Sequence, residues 1–157
     1  MIKNNIIYII FLFLLSCSLI PLKNLPTPTG KYIVGTDIFN WEDKSRDEWF
    51  TKDVIDPRKI VVQIWYPAEA KSDSLYPYMD NADIRLNALS DQVGVPKGLI
   101  SQIKKIKGNS YYKAIPVKNK KISIILFSHG LGGTKTQNSI NIEELVSNGY
   151  IVLAPDH

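Results

Sequence analysis

The sequence predicts an α/β fold built on a mixed sheet that contains one parallel βαβ unit. Three observations predict it. Two early segments rich in β-branched and aromatic residues, 30–41 and 59–66, read as strands close enough in sequence to pair. A nearly continuous apolar run at 121–129 breaks at a glycine cluster, and a helical pattern and a second apolar run follow it. With 157 residues, 45% hydrophobic and 22% charged, the chain suits one modest domain with a buried core and excludes disorder along its length.

The first segment reads as an address. Lys3 precedes an unbroken apolar run at 6–15, the pattern of a secretory signal. The run falls short of the roughly 20 apolar residues of a membrane-spanning helix. It ends in Leu14-Leu15-Ser16-Cys17, which resembles the bacterial lipobox, where a small residue precedes a cysteine that is acylated on sulfur. Several acyl chains anchor stably at about 0.8 kcal/mol per buried methylene. Cys17 is the only cysteine, which excludes an internal disulfide. The plainer alternative is a signal cleaved near Ser16 beside an incidental cysteine. The expectation is an exported protein, lipid-anchored to the bacterial cell envelope through Cys17 and so partnered with a membrane. Residues 1–16 are then the signal and 17–29 a tether held extended by Pro21, Pro26 and Pro28. The partial domain is expected over 30–157.

Within that domain, Tyr32, Val34, Thr36 and Ile38 alternate as in a half-buried strand. Residues 40–53 are acidic and polar and read as a loop. Residues 59–66 form the next strand, which Pro67 is expected to stop, and the two strands should pair as an antiparallel hairpin with a long connection. In 71–117 the pattern is weaker. Ile84, Leu86 and Leu89 suggest a helix at 82–93, and a second short helix fits 97–106, with Pro96 between them. The stretch reads as an insertion that covers or borders a site.

Residues 92–142 contain no Asp or Glu, while Lys104, Lys105, Lys107, Lys113, Lys118, Lys120 and Lys121 accumulate there. A solvated face explains this. Contact with anionic lipid headgroups is the alternative, at about 1 kcal/mol for each nearby Lys. No nucleic-acid-binding module accompanies the charge, so nucleic acid is not the expected partner.

The run at 121–129 reads as a strand covered on both faces. After the glycines, Ile142, Leu145 and Val146 share one side of a helix over 138–147, and Asn148-Gly149 stops it. Residues 151–154 form the returning strand, expected to lie parallel to the first and to enter the sheet between the second and third strands.

The glycine cluster His129-Gly130-Leu131-Gly132-Gly133 carries the chemistry. Acyl transfer develops negative charge on a carbonyl oxygen, and preorganised backbone N–H groups stabilise it. Glycines let a ligand approach such amides, where side chains would block it. A purely structural turn is the competing reading. A phosphate cradle is disfavoured, because Gly133-Thr134-Lys135-Thr136 lacks the P-loop spacing. His129 reads as a turn-stabilising residue, and His129, Gly130, Gly132 and Gly133 as the lining of a substrate crevice. Asp156 and His157 are adjacent on an extended chain and point to opposite faces, so they read as crevice-lining residues and not as a dyad.

The run from Leu126 through Phe127, Ser128 and His129 to Gly133, then Glu143-Glu144-Leu145 and Asn148-Gly149-Tyr150-Ile151-Val152, resembles the plasma-type (isoform II) platelet-activating factor acetylhydrolase family. Gly30-Lys31-Tyr32-Ile33-Val34-Gly35 and Val62-Gln63-Ile64-Trp65-Tyr66-Pro67 resemble that family's opening strands. The resemblance implies the N-terminal part of an α/β-hydrolase fold and a calcium-independent serine esterase, with no metal and no cofactor. The implied substrates are short-chain or oxidised acyl esters of phospholipids. The amide of Leu131 is implied as one oxyanion donor. Related dienelactone-hydrolase-like carboxylesterases share parts of the pattern. The family's nucleophile lies in a Gly-x-Ser-x-Gly elbow followed by an Asp and a His. No such elbow occurs in this sequence, so the chain is expected to be an incomplete and inactive portion of an esterase. A non-catalytic envelope lipoprotein that keeps part of the fold is the rival reading.

Overall fold

A computed structural model describes residues 24–49, 51–52, 56–118 and 121–156. The expected signal, Cys17 and His157 lie outside the described residues. No helix among the described residues is long and apolar enough to cross a membrane. The described chain forms two compact units, one of residues 24–25 and 77–107 and the other of residues 26–76 and 108–156.

The larger unit is a mixed sheet with one helix on it. Its strands are β1 (Ile33–Asp47), β2 (Pro57–Ala70), β3 (Leu75–Pro77), β4 (Lys107–Tyr112), β5 (Ile115–Pro116), β6 (Ile124–Leu126) and β7 (Ile151–Asp156). Their order is β3-β4-β1-β2-β7-β6, with β5 on the end of β2. β1 and β2 pair antiparallel, as expected, and β7 runs antiparallel to β2 and parallel to β6. The returning strand thus enters the sheet between β2 and β6. Strands β3, β4 and β5 had no sequence counterpart. The polar run of β4 becomes a strand by pairing parallel to β1, with Ser110 opposite Val34.

Three expectations are corrected. The stretch 40–53 is not a loop throughout, because β1 continues to Asp47. Both faces of that extension are largely exposed, so the hydrophobic alternation that marks a half-buried strand is missing. Cross-strand neighbours of opposite charge, Glu42 opposite Lys59 and Asp43 opposite Arg58, accompany the pairing. Pro67 does not stop β2, which runs on to Ala70. β7 leaves β2 at Trp65, so the missing proline N–H falls beyond that pairing. Finally, β6 is not covered on both faces. It is a sheet edge among the described residues, and Ile124 and Leu126 are 65% and 72% exposed, while Ile125 and Phe127 pack inward.

The inward face meets α3 (Ser139–Ser147; α1 and α2 lie in the smaller unit). Val34, Trp65, Val152 and Ala154 from the sheet and Ile142 and Val146 from the helix form one buried cluster. Each large side chain so buried contributes roughly 1.5–3 kcal/mol. Gly149, at φ +99°, ends the helix, and its N–H donates to the Val146 carbonyl at 2.9 Å. The same cluster face carries a polar pair: Gln63 Nε2 donates to Thr36 Oγ1 at 3.0 Å, and Thr36 Oγ1 donates to the Ile64 carbonyl at 2.9 Å. The opposite face of the sheet carries an open groove of about 730 Å³ lined by Ile64, Tyr66, Ile124, Ile151 and Leu153.

α3 also holds the chain that enters β1. Glu144 accepts from the Thr29 amide at 2.8 Å and from the Thr29 hydroxyl. Gly30 N–H donates to Ser147 Oγ at 3.0 Å, and Tyr32 N–H donates to the Ser147 carbonyl at 3.0 Å. Buried Glu143 accepts from the Asn109 amide at 2.8 Å, Asn109 Nδ2 at 2.9 Å and Ser110 Oγ at 2.7 Å. Asn109 Nδ2 also donates to the Pro26 carbonyl at 2.9 Å. These contacts therefore reach four residues upstream of Gly30.

In the smaller unit, α1 (Ala82–Val93) follows the expected span and buries Leu86 and Ser90, while Ile84 is exposed. Gly94, at φ +67°, caps it in the left-handed region, where glycine has no Cβ penalty. After Pro96, the short α2 (Lys97–Ile100) passes directly into a 3-10 turn, Ser101–Lys105. Of the lysines that accumulate here, Lys104 pairs with Asp83.

Candidate active site

The glycine turn joins β6 to α3. Its first residues are fixed by the sheet, because the Phe127 N–H donates to the Leu153 carbonyl of β7 at 2.8 Å. His129 Nδ1 lies 2.9 Å from the Gly130 carbonyl. The chain then reverses: Gly133 N–H donates to the Gly130 carbonyl at 2.8 Å, and Gly132 has φ +73°. A positive φ at the third position is the demand of a type II turn, and glycine meets it. A Cβ on Gly133 would collide with Gln137 Oε1 and stand 2.9 Å from the Gly130 carbonyl oxygen. Around Gly130, by contrast, a Cβ would meet open space.

Leu131 is fully exposed at the second position of this turn. Among the described residues, neither the Leu131 amide nor the Gly132 amide has a hydrogen-bond acceptor. Two backbone donors are therefore open to a ligand at the end of a strand. Backbone donors without an acceptor are one ingredient of an oxyanion site. The structure brings His129, Gly130, Leu131, Gly132 and Gly133 together in this one turn.

The turn's far end is held by a contact the sequence did not suggest. Lys135 is fully buried and Thr136 nearly so. The Lys135 N–H donates to Asp156 Oδ1 at 2.7 Å, and Lys135 Nζ contacts Asp156 Oδ2 at 3.3 Å. A wholly buried lysine is rare without such a partner. Asp156 closes β7 at its carboxyl end, where its carboxylate meets the far end of the turn. The only local signal was a lysine set between two threonines directly after the glycines; its partner stands 21 residues on. The helix then begins at Ser139, whose hydroxyl donates to the Thr136 carbonyl at 2.8 Å. Among the described residues no group of three His, Cys, Asp or Glu side chains gathers as a metal site would need.

A mixed sheet with a parallel βαβ unit, and a glycine turn with open amides between its first strand and its helix, fit the α/β-hydrolase fold. A solved structure agrees: a ferulic acid esterase from Streptomyces cinnamoneus superposes with a TM-score of 0.65 at 24% identity, over 88% of this chain. This chain spans 37% of the length of that esterase. The family model of platelet-activating factor acetylhydrolase, isoform II, matches residues 18–157, and the chain belongs to that family. No curated protein sequence matches it.

Proposed function

We propose that this chain is the oxyanion-donating portion of a serine ester hydrolase that acts on short-chain or oxidised acyl esters of phospholipids. The observation that carries the reading is the pair of open amides at Leu131 and Gly132, set by a type II turn at the end of β6. Family membership supports the reaction class. In the reaction, a serine hydroxyl attacks the ester carbonyl and a histidine takes its proton. The carbonyl oxygen becomes an oxyanion and receives the Leu131 N–H. Collapse of the intermediate expels the alcohol with that proton, and water then hydrolyses the acyl-enzyme. The sequence holds no Gly-x-Ser-x-Gly elbow, so the serine, histidine and aspartate are assigned to no residue of this chain, and these residues alone turn over no ester.

The chain is exported and held at the bacterial cell envelope through acylated Cys17. Radiolabelled palmitate incorporated by the wild type and lost in Cys17→Ser, with release of the protein from the membrane fraction, is the expected result. Labelling that survives the substitution removes the anchor from the proposal.

The ester-hydrolase reading is tested with Leu131→Pro in the protein as the cell makes it. Proline is favoured at the second position of a type II turn, so the turn persists while its N–H is lost. Loss of one oxyanion donor lowers kcat by roughly 10²–10³-fold. Leu131→Ala, which keeps the N–H, stays near wild type. Equal activity of the proline and alanine variants on a short-chain nitrophenyl ester sinks the assignment of the donor. Turnover of that ester by residues 18–157 alone sinks the claim that the nucleophile lies elsewhere.

A further inference from the structure

We infer that Lys135 and Asp156 form a positioning pair that sets the open amides of the glycine turn against the end of β7. The inference rests on the ester-hydrolase reading given above and adds two residues to it. The turn is gripped at both ends by one strand. At its start, Phe127 N–H is bonded to Leu153 of β7. At its finish, the Asp156 carboxylate holds Lys135 at two points, the main-chain N–H at 2.7 Å and the ammonium at 3.3 Å. Between those two grips lie Gly130, Leu131, Gly132 and Gly133, closed on themselves by the bond from Gly133 N–H to the Gly130 carbonyl.

The two contacts to Asp156 do different work. The bond to the main chain fixes where the backbone stands two residues after Gly133. The ammonium, with the whole lysine side chain buried, holds the carboxylate in the orientation that makes this bond. A neutral acceptor at 156 could satisfy one of these donors but not both. Charge is thus used to aim a carboxylate at an amide, and the amide sets the turn. The pair acts through the backbone of the turn. A donor displaced by about 1 Å costs on the order of 10²-fold in rate, so a loosened turn is legible in kcat.

The test uses Asp156→Ala, Asp156→Asn and Lys135→Met in the protein as the cell makes it, with two readouts. Hydrogen exchange, followed by mass spectrometry, is expected to quicken over 128–135 in all three variants and to stay at the wild-type rate in β1 and β2. On a short-chain nitrophenyl ester, kcat is expected to fall about 100-fold for Asp156→Ala and about 10-fold for Asp156→Asn and Lys135→Met. KM should stay within about twofold, because ground-state binding does not use the oxyanion donors. Unchanged exchange in the turn, or a loss expressed in KM alone, overturns the proposal. Sheet-wide loss of protection overturns it too, by showing that the pair holds the fold and not the turn. If the wild type hydrolyses no ester, the functional reading falls by itself, and the exchange data still judge whether the pair orders the turn.

Discussion

Glu143 offers the most informative single substitution in the fold, because a change of one atom, Glu143→Gln, rewrites three hydrogen bonds. Oε1 of the glutamate accepts from the Asn109 amide and Ser110 Oγ, and Oε2 accepts from Asn109 Nδ2. In glutamine one of these oxygens becomes an NH2 group. If it replaces Oε2, it faces Asn109 Nδ2, a donor against a donor. Rotating the Asn109 amide relieves that clash but abandons the bond from Nδ2 to the Pro26 carbonyl. If instead it replaces Oε1, two donors lose their acceptor. In the better case, two charge-assisted bonds become neutral ones, at about 1 kcal/mol each, and one partly buried donor goes unsatisfied at about 1–3 kcal/mol. The total is about 3–5 kcal/mol, which for a chain of this size lowers Tm by roughly 6–20 °C. Urea or thermal unfolding followed by far-UV circular dichroism measures it. Combining Glu143→Gln with Asn109→Ala should show strong non-additivity, since the two groups share their bonds. A destabilisation under about 1 kcal/mol, or simple additivity, would refute the reasoning.

Other expectations concern the same helix and the sheet edge. Gly30→Ala drives a Cβ into the Ser147 backbone and loosens the bonds to Ser147 made by Gly30 and Tyr32. It should cost about 3–5 kcal/mol in urea unfolding, whereas Gly98→Ala, with nothing near its Cβ, should stay within about 1 kcal/mol of wild type. The Thr29 hydroxyl and then the Thr29 amide hold the Glu144 carboxyl below the ordinary glutamate range. Its grip on Thr29 is therefore complete above that ordinary value and is lost as pH falls through the lowered one. Thr29 amide exchange should quicken across that acidic window in the wild type and show no such pH step in Glu144→Gln. Residues 24–156 produced alone should self-associate through the β6 edge, and Leu126→Lys should shift their sedimentation toward monomer.

Much of this fold was legible where a residue pattern matched a single physical demand. Ile142, Leu145 and Val146 share a helix side because they meet one sheet face, and Gly149 marks the helix end because the chain needs a positive φ there. The hairpin extension was hidden because Trp41, Glu42 and Asp43 answer to no buried face, only to partners across the strand. β4 was hidden for a related reason: Asn109 and Ser110 are polar because Glu143 awaits them, a pairing no local window contains. At the site, the glycine turn could be read from composition, since its backbone geometry requires glycine itself. Lys135 could not, because the carboxylate that meets both its N–H and its ammonium, Asp156, stands 21 residues away. The outward side of β6 was misjudged because an apolar residue records hydrophobicity, not whether a cover is present.

The stitching of residues 26–30 to α3 has a mechanical consequence. Tension applied to the N-terminal end of the described chain does not load β1 first. It is borne first by the bonds of Asn24 and Leu25 to Lys107, and then by the Asn109–Pro26, Glu144–Thr29 and Ser147–Gly30 bonds. α3 begins six residues after the glycine turn. Tension on residues 24–30 is thus delivered to the helix that follows the glycine turn, while the central β1–β2 pairing stays unstressed until those stitches part.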